Sequence, residues 1–263
     1  MKDIVPVIPL PKEYKLNPAF CDDFSGPGLD RTRWMDFYAD WKGRPGGFFY
    51  DPANVAVKDG MLRITAREVP EETLTDELRV LNFPARSCGI IRTRERVLYG
   101  CFQTRFRTMN AAVCNAFWLN DSLDVDKKYK PGYFSDEIDI YEVFGKSTIE
   151  GAGNIFFNTA HRLNTPYIEG RIYCGNTSFA PKKQHKPRFA FHKGFHTATF
   201  LWTPDTLEWY LDGKLTFRHP NDYYHSAMRI NFDCEVMTHW AGSPDSADLP
   251  AEYQVDYLRV WQK

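Results

Sequence analysis

The 263-residue chain has almost no net charge, with 33 basic against 34 acidic side chains. That balance argues against a nucleic-acid binder whose affinity comes from a basic surface. No apolar run approaches the roughly 20 residues of a membrane-crossing helix, so no membrane span is expected. The six cysteines, at 21, 88, 101, 114, 174 and 234, form no Cys-x-x-Cys pair and no zinc spacing. Their even number permits disulfides without implying any, and most are expected to be buried thiols. The opening residues lack the apolar centre of a signal peptide, although a cleaved leader would leave no trace. Helical periodicity is scarce, confined to residues 71–81 and, weakly, 221–226. No internal repeat or linker divides the chain, which reads as one domain over residues 1–263.

Aromatics, by contrast, are abundant: seven Trp, 14 Tyr and 20 Phe. A β-rich core favours aromatic side chains, and the excess beyond it suggests rings displayed as stacking platforms. Strand-like runs fill the chain, at 88–94, 99–107, 113–120, 135–144, 154–160, 196–203, 227–236 and 254–262. In the second of these, Phe102, Thr104 and Phe106 alternate with Gln103, Arg105 and Arg107, which predicts one buried and one wet face. Asp59-Gly60 and Asp212-Gly213 mark hairpin turns. Residues 121–133 and 177–188 read as surface loops. About a dozen short strands with almost no helix point to a sandwich or barrel of antiparallel sheets.

The most informative segment is Glu137-Ile138-Asp139-Ile140-Tyr141-Glu142. Alternation along a strand puts Glu137 and Asp139 on one face and the isoleucines on the other. Strict alternation would send Glu142 into the core at a heavy desolvation cost. One extra residue, a β-bulge at 140–141, returns it to the acidic face. Adjacent carboxylates repel, and their mutual field raises the pKa of at least one, leaving a protonated acid beside an ionised base. Retaining glycoside hydrolysis uses such a pair: one carboxylate attacks the anomeric carbon and the other protonates the leaving oxygen. A solvated acidic face or a calcium site would explain a bare Glu-x-Asp equally well. The complete six-residue pattern favours catalysis.

These six residues resemble the signature strand of glycoside hydrolase family 16, in the bulged form of its laminarinases, β-agarases, porphyranases and κ-carrageenases. The likeness runs through Asp23-Phe24-Ser25-Gly26, Val57-Lys58-Asp59-Gly60-Met61-Leu62, Ala116-Phe117-Trp118-Leu119 and the closing Val255-Asp256-Tyr257-Leu258-Arg259-Val260-Trp261. It implies an all-β jelly-roll β-sandwich of two antiparallel sheets with a substrate cleft on the concave face. It also implies Glu137 as nucleophile, Glu142 as acid/base, and Asp139 as the residue that hydrogen-bonds the nucleophile and tunes the pair. Glu142-Val143-Phe144-Gly145 looks more like the marine-galactan members than the laminarinases. Trp41-Lys42-Gly43-Arg44-Pro45-Gly46-Gly47 resembles the N-terminal cleft loop of porphyranases and agarases. An indole that stacks on a ring and a guanidinium that grips an anionic ester suit a sulfated sugar; a solvated loop arginine is the plain alternative for Arg44.

By the same resemblance Trp118 forms the floor under the sugar, with a core tryptophan as the alternative. His161 is expected to reach substrate or Glu142, or else to be a loop histidine. Asn158 is expected to meet a sugar hydroxyl, Trp240 to wall a subsite, and Arg86, Arg92 and Arg162 to be further sulfate partners. No cofactor is required; a structural calcium is left open at Asp256, with oxygens near Asp22 or Asp23. The resulting expectation is a secreted, periplasmic or cell-surface endo-hydrolase, a monomer. Its substrate would be a sulfated red-algal galactan cut at β-1,4-galactosidic bonds, porphyran ahead of agarose. β-Agarase, κ-carrageenase and laminarinase are the alternatives within the class. A carbohydrate-binding, lectin-like module is the alternative outside it.

Overall fold

A computed structural model describes residues 2–39, 41–120, 134–164, 167–168, 171–172 and 177–263. The expected loop at 121–133 and Cys174 lie outside the described residues. Tight turns reverse the chain where the sequence places them. Asp59 and Gly60 take φ values of 54° and 69° between the paired Lys58 and Met61. Asp212 and Gly213 take 49° and 75° between Leu211 and Lys214. Two successive left-handed residues match the twist of the flanking strands, and glycine adopts that conformation without a Cβ penalty.

Two sheets result. The first runs, in spatial order, Thr177–Phe179, Phe156–Asn164, Phe134–Phe144, Cys114–Asn120, Arg229–Glu235, Ile90–Thr93 and Trp34–Met35. The second runs Lys214–Pro220, Thr206–Leu211, His196–Trp202, Gly100–Arg107, Ala251–Gln262, Met61–Glu68, Arg86–Cys88 and Phe49–Tyr50. Among the described strands every pairing is antiparallel except that of Phe49–Tyr50 with Arg86–Cys88. The sheets face each other across one aromatic core. Phe106 of the second sheet stacks on Tyr141 of the first at 4.0 Å, and Phe117 stacks on Phe232 at 4.5 Å. Burying side chains of this size stabilises the sandwich by about 1.5–3 kcal/mol each. Trp34, Trp202 and Trp209 are absorbed into this core, whereas Trp41, Trp118 and Trp240 stay half-buried outside it.

Several local expectations change in the folded chain. Residues 71–81 fold as a 3-10 turn, Glu71–Thr73, and a short helix, Asp76–Val80, whose Leu78 N donates to the cap Thr75 Oγ1 at 3.3 Å. Residues 221–226 are not helical, because buried Asn221 accepts from Tyr224 N at 2.9 Å and donates to Thr203 O at 2.8 Å, closing a turn. Lys182–His185, expected in a loop, pairs as an exposed edge strand with Phe156–Asn164. Gln103, expected on a wet face, is buried because residues 5–7 cover it, with Val7 N donating to its Oε1 at 2.8 Å. The five described cysteines are free and buried.

Phe134–Phe144 ends against a backbone crossing. A Cβ on Gly145 would lie 1.7 Å from Met109 O. Gly145→Ala must therefore push two backbones apart and is expected to cost about 3 kcal/mol, as overpacked sites do. The urea midpoint reads this directly; a midpoint within error of the parent would contradict the close approach.

Candidate active site

Phe134–Phe144 keeps register with Cys114–Asn120 up to Asp139 opposite Trp118 and resumes at Tyr141 opposite Phe117. Against Phe156–Asn164 it jumps from Asp139 opposite Thr159 to Glu142 opposite Phe157. Both neighbours thus accommodate one extra residue, at the bulge that the acidic pattern predicts. Ile140 and Tyr141 both point into the core, unexposed, while Glu142 remains half-buried beside Glu137 and Asp139.

A bulge deprives backbone carbonyls of ladder partners, and buried carbonyls need replacements. Trp209 Nε1 donates to Asp139 O at 3.0 Å, and Asn158 Nδ2 donates to Ile140 O at 2.7 Å. Thr216 Oγ1 in turn donates to Asn158 Oδ1 at 3.0 Å. Trp209 and Thr216 reach these positions from the second sheet. The expected sugar contact at Asn158 is therefore corrected: its side chain is unexposed on the core side of its strand. Alternation along that strand gives the outer face to Phe157, Thr159 and His161.

His161 lies opposite Glu137 in register, and its Nε2 stands 3.2 Å from Asp139 Oδ2. The expected partner Glu142 is thus replaced by Asp139. Burial works to lower the His161 pKa, but the hydrogen bond and charge of Asp139, with the charge of Glu137, outweigh it and raise it to about 9. Burial and the Asp139 charge push Glu137 up to about 8, against the pull of His161 and Arg44. Glu142 is raised well above its ordinary value by burial and then by the charges of Asp139, Glu137, Glu235 and Asp233. Both glutamates thus hold protons beyond the ordinary carboxylate range, and His161 and Arg44 favour the ionised form of Glu137.

A second acidic pair escapes the sequence reading. Arg229–Glu235, on the far side of Cys114–Asn120, presents Asp233 and Glu235 to the same region. Trp118 Nε1 donates to Asp233 Oδ1 at 2.8 Å, and Trp41 Nε1 donates to Glu235 Oε1 at 3.1 Å. Arg44 Nε and Nη2 donate to Glu235 Oε2 at 3.1 and 2.8 Å. Between the acids sits Tyr50, whose hydroxyl is 2.5 Å from Asp233 Oδ2 and 2.8 Å from Glu235 Oε1. A phenol carries one hydrogen, so one of the two carboxyl groups must supply the other. Glu235 is matched by Arg44, which leaves the proton on Asp233. Burial and the Glu235 charge accordingly push Asp233 up to about 8, although Tyr50 and Trp118 pull it down. The signal available in the sequence was the polar-apolar rhythm Asn231-Phe232-Asp233-Cys234-Glu235, the same rhythm as the acidic strand.

The structure also redistributes the basic residues. Arg44, expected to meet a sulfate, is held by Glu235. Arg92 is buried, donating to Asn231 and Asn120 with its guanidinium 3.6 Å from the Tyr38 ring. Arg86 pairs with Glu68 at 3.0 Å, and Arg162 turns to Asp136 and the Tyr223 ring. Trp118 lies opposite Asp139 on the outer face, as the floor position requires. Trp240 packs edge-on against Phe144 and Phe157, at 5.2 and 4.8 Å.

Glu137, Asp139 and His161 each bring one ligand-type atom within 4.8 Å of the others. Within this trio the His161 Nε2–Asp139 Oδ2 contact already pairs the imidazole with a carboxylate. The expected calcium ligand Asp256 gives its two oxygens to Lys2 and Arg105. Asp22 accepts from Phe24 N and Trp34 Nε1 at 2.8 Å each, and Asp23 pairs with the buried Arg259. These carboxylates are already matched by cations and N–H groups, so they do not fit a calcium ion.

A family model described as beta-porphyranase A–D, GH16 domain, matches residues 14–263. A glucan endo-1,3-beta-glucosidase A1 of Niallia circulans is 26% identical over 94% of this chain and 38% of its own length. The kappa-carrageenase of Pseudoalteromonas carrageenovora is 23% identical over 89% of this chain and 62% of its own. The chain thus spans between two-fifths and three-fifths of these relatives. The crystal structure of porphyranase B from Zobellia galactanivorans superposes with a TM-score of 0.76 at 21% identity, covering 95% of this chain and 92% of that one. At that identity the likeness shows the fold. Among the described residues no helix is long and apolar enough to cross a membrane.

Two predictions follow from these groups. Asn158→Leu leaves Ile140 O short of its donor, while Thr216 Oγ1 keeps Trp209 O at 3.0 Å, and it should cost about 1–3 kcal/mol in chemical denaturation, the penalty of a buried unsatisfied group. The acids make stability depend on pH. Glu137 and Asp233 keep protons up to about pH 8 that the unfolded chain releases near 4.5 and 3.8. His161 keeps one up to about 9 against 6.5 unfolded. The folded state therefore binds more protons, and stability falls as pH rises from about 3.8 to 9. Asp233→Asn, which keeps an acceptor for Trp118 and a donor for Tyr50, should raise the melting temperature at pH 8 relative to the parent but not at pH 4. A variant that melts lower than the parent at both pH values would place an ionised carboxylate at Asp233.

Proposed function

The chain belongs to the beta-porphyranase A–D family of glycoside hydrolase family 16 domains, and we propose that it is an endo-acting retaining glycosidase cleaving β-1,4-galactosidic bonds of a red-algal galactan. The observation that carries this reading is the bulge that sets Glu137, Asp139 and Glu142 on one face, where burial and neighbouring acids push the Glu142 carboxyl well above its ordinary range. Glu137 attacks the anomeric carbon as Glu142 gives its proton to the leaving oxygen, and a glycosyl ester forms on Glu137. Glu142, now a carboxylate, then takes a proton from the water that attacks the same carbon and frees Glu137. Two inversions at one carbon retain its configuration. Asp139 and His161 pair beside the nucleophile, and the imidazolium limits the rise of the Glu137 pKa to about 8, so the attacking carboxylate forms as pH approaches that value. Trp118 serves as floor, with Trp41 and Trp240 as walls, because indole faces stack on sugar rings.

Porphyran stands first as substrate, supported by the family model that matches. Agarose stands second, favoured by the engagement of Arg44 with Glu235, which leaves that cation matched from within. Both are polymers met outside the cell, so the protein acts as a secreted, periplasmic or cell-surface monomer.

Porphyran, agarose, κ-carrageenan and laminarin, incubated in parallel, test the reading through new reducing ends and the anomeric proton signals of early products. We expect galactan cleavage with retained configuration, and loss of at least about 10³-fold in kcat for Glu137→Gln, the scale of a lost nucleophile. Tight polymer binding with no new reducing ends would favour a lectin-like module instead. Undiminished turnover by Glu137→Gln would remove that residue from its role.

A further inference from the structure

Glu235 is the most fully satisfied carboxylate of the cleft. Oε1 accepts from Trp41 Nε1 and Tyr50 OH, and Oε2 accepts twice from Arg44. Four donors fill the four lone-pair directions that a carboxylate offers. Its side chain is 10% exposed, against 37% for Arg44, so the acid sits beneath and the guanidinium lies above it at the rim. The Arg44 edge that Glu235 uses, Nε with Nη2, is one of the two edges through which a guanidinium grips an oxyanion. The other edge remains, but its charge is cancelled by a neighbour 2.8 Å away. The other cation nearby, the imidazolium of His161, is matched by Asp139 and offers a sulfate no second partner. A sulfate brought to Arg44 would face Glu235 at close range. It could displace that carboxylate only by leaving a nearly buried charge without its cation, which is strongly unfavourable.

From this we propose that Glu235 is a specificity-determining residue that occupies Arg44 in place of a substrate anion, so that the subsite beside Trp41 takes an uncharged sugar unit. The inference rests on reading this cleft as a galactan site. In a partly sulfated galactan, the sulfate-bearing units then lie outside this subsite. Glu235 also fixes the substrate platforms. It orients Trp41 directly, and through Tyr50 it is tied to Asp233, which holds Trp118. One carboxylate thus sets both the charge and the stacking geometry of the subsite.

The test compares the parent with Glu235→Gln, which keeps an acceptor for Trp41 and Tyr50 and removes the charge. On a sulfated galactan and its chemically desulfated form, the ratio of kcat/KM values should move toward the sulfated polymer by roughly tenfold or more, as expected when a like charge is removed from beside an anion. An unmoved ratio would overturn the proposal. Inorganic sulfate provides a readout that needs no turnover. Melting temperatures are measured in sodium sulfate and in sodium chloride at matched ionic strength, and the parent corrects for the general stabilisation by sulfate. Glu235→Gln should gain about 2 °C beyond the parent's increment through the freed Arg44, a gain lost in the Glu235→Gln, Arg44→Gln double variant. Equal increments in parent and variant would overturn it. If Glu235→Gln fails to fold, Arg44→Gln decides: equal loss on both polymers supports the proposal, and selective loss on the sulfated one refutes it. Should the parent cleave neither polymer, the galactanase reading falls, while the sulfate measurement still decides the role of Glu235.

Discussion

The arrangement of the site depends on a single inserted residue. Without the bulge between Asp139 and Glu142, a strand that faces the core with Ile138 and Ile140 would bury Glu142 among them. With it, Ile140 and Tyr141 both turn inward and three carboxyl groups share one face. The bulge is stable because its bared carbonyls are met by Trp209 and Asn158, and because Tyr141 finds a place against Phe106 in the facing sheet. The second sheet is therefore more than a backing. It supplies the donors that keep the first sheet's irregularity in place.

Crowded acids shape the rest of the electrostatics. Glu137, Glu142 and Asp233 all hold protons beyond their ordinary range, with burial as the leading cause and neighbouring charge as the second. Two cations are placed among them, and each is matched: His161 with Asp139, Arg44 with Glu235. The difference between the two glutamates of the acidic strand follows from this placement. His161 and Arg44 favour the ionised form of Glu137, whereas the leading influences on Glu142 all favour its proton.

What the sequence could show was what depends on neighbours along the chain. Asp59-Gly60 and Asp212-Gly213 reverse it where their backbone freedom allows. The acidic hexapeptide reveals its own bulge, because burying Glu142 is too costly. What it could not show depends on which strands lie side by side. Asn158 alternates as expected, but whether its face was core or cleft was settled by the strand next to it. Arg44 and Glu235 are 191 positions apart, and no local pattern announces that they meet. Gln103 reads as a wet position until residues 5–7 lie across it. Asp233 and Glu235 carried the right rhythm, yet they lack the mutual crowding within one strand that made the first acids conspicuous.

Phe134–Phe144 is flanked on both sides by other strands of its sheet and tied from beneath, while the residues that shape the wall, Trp41 and Arg44, belong to a short segment joined to the floor through Glu235. The acidic strand and the wall beside it are thus carried by separate parts of the chain. A substitution at Arg44 would nonetheless be felt by that strand, because its charge favours the ionised form of Glu137. The wall can therefore vary in sequence only within the limits set by the charge it lends to its neighbour.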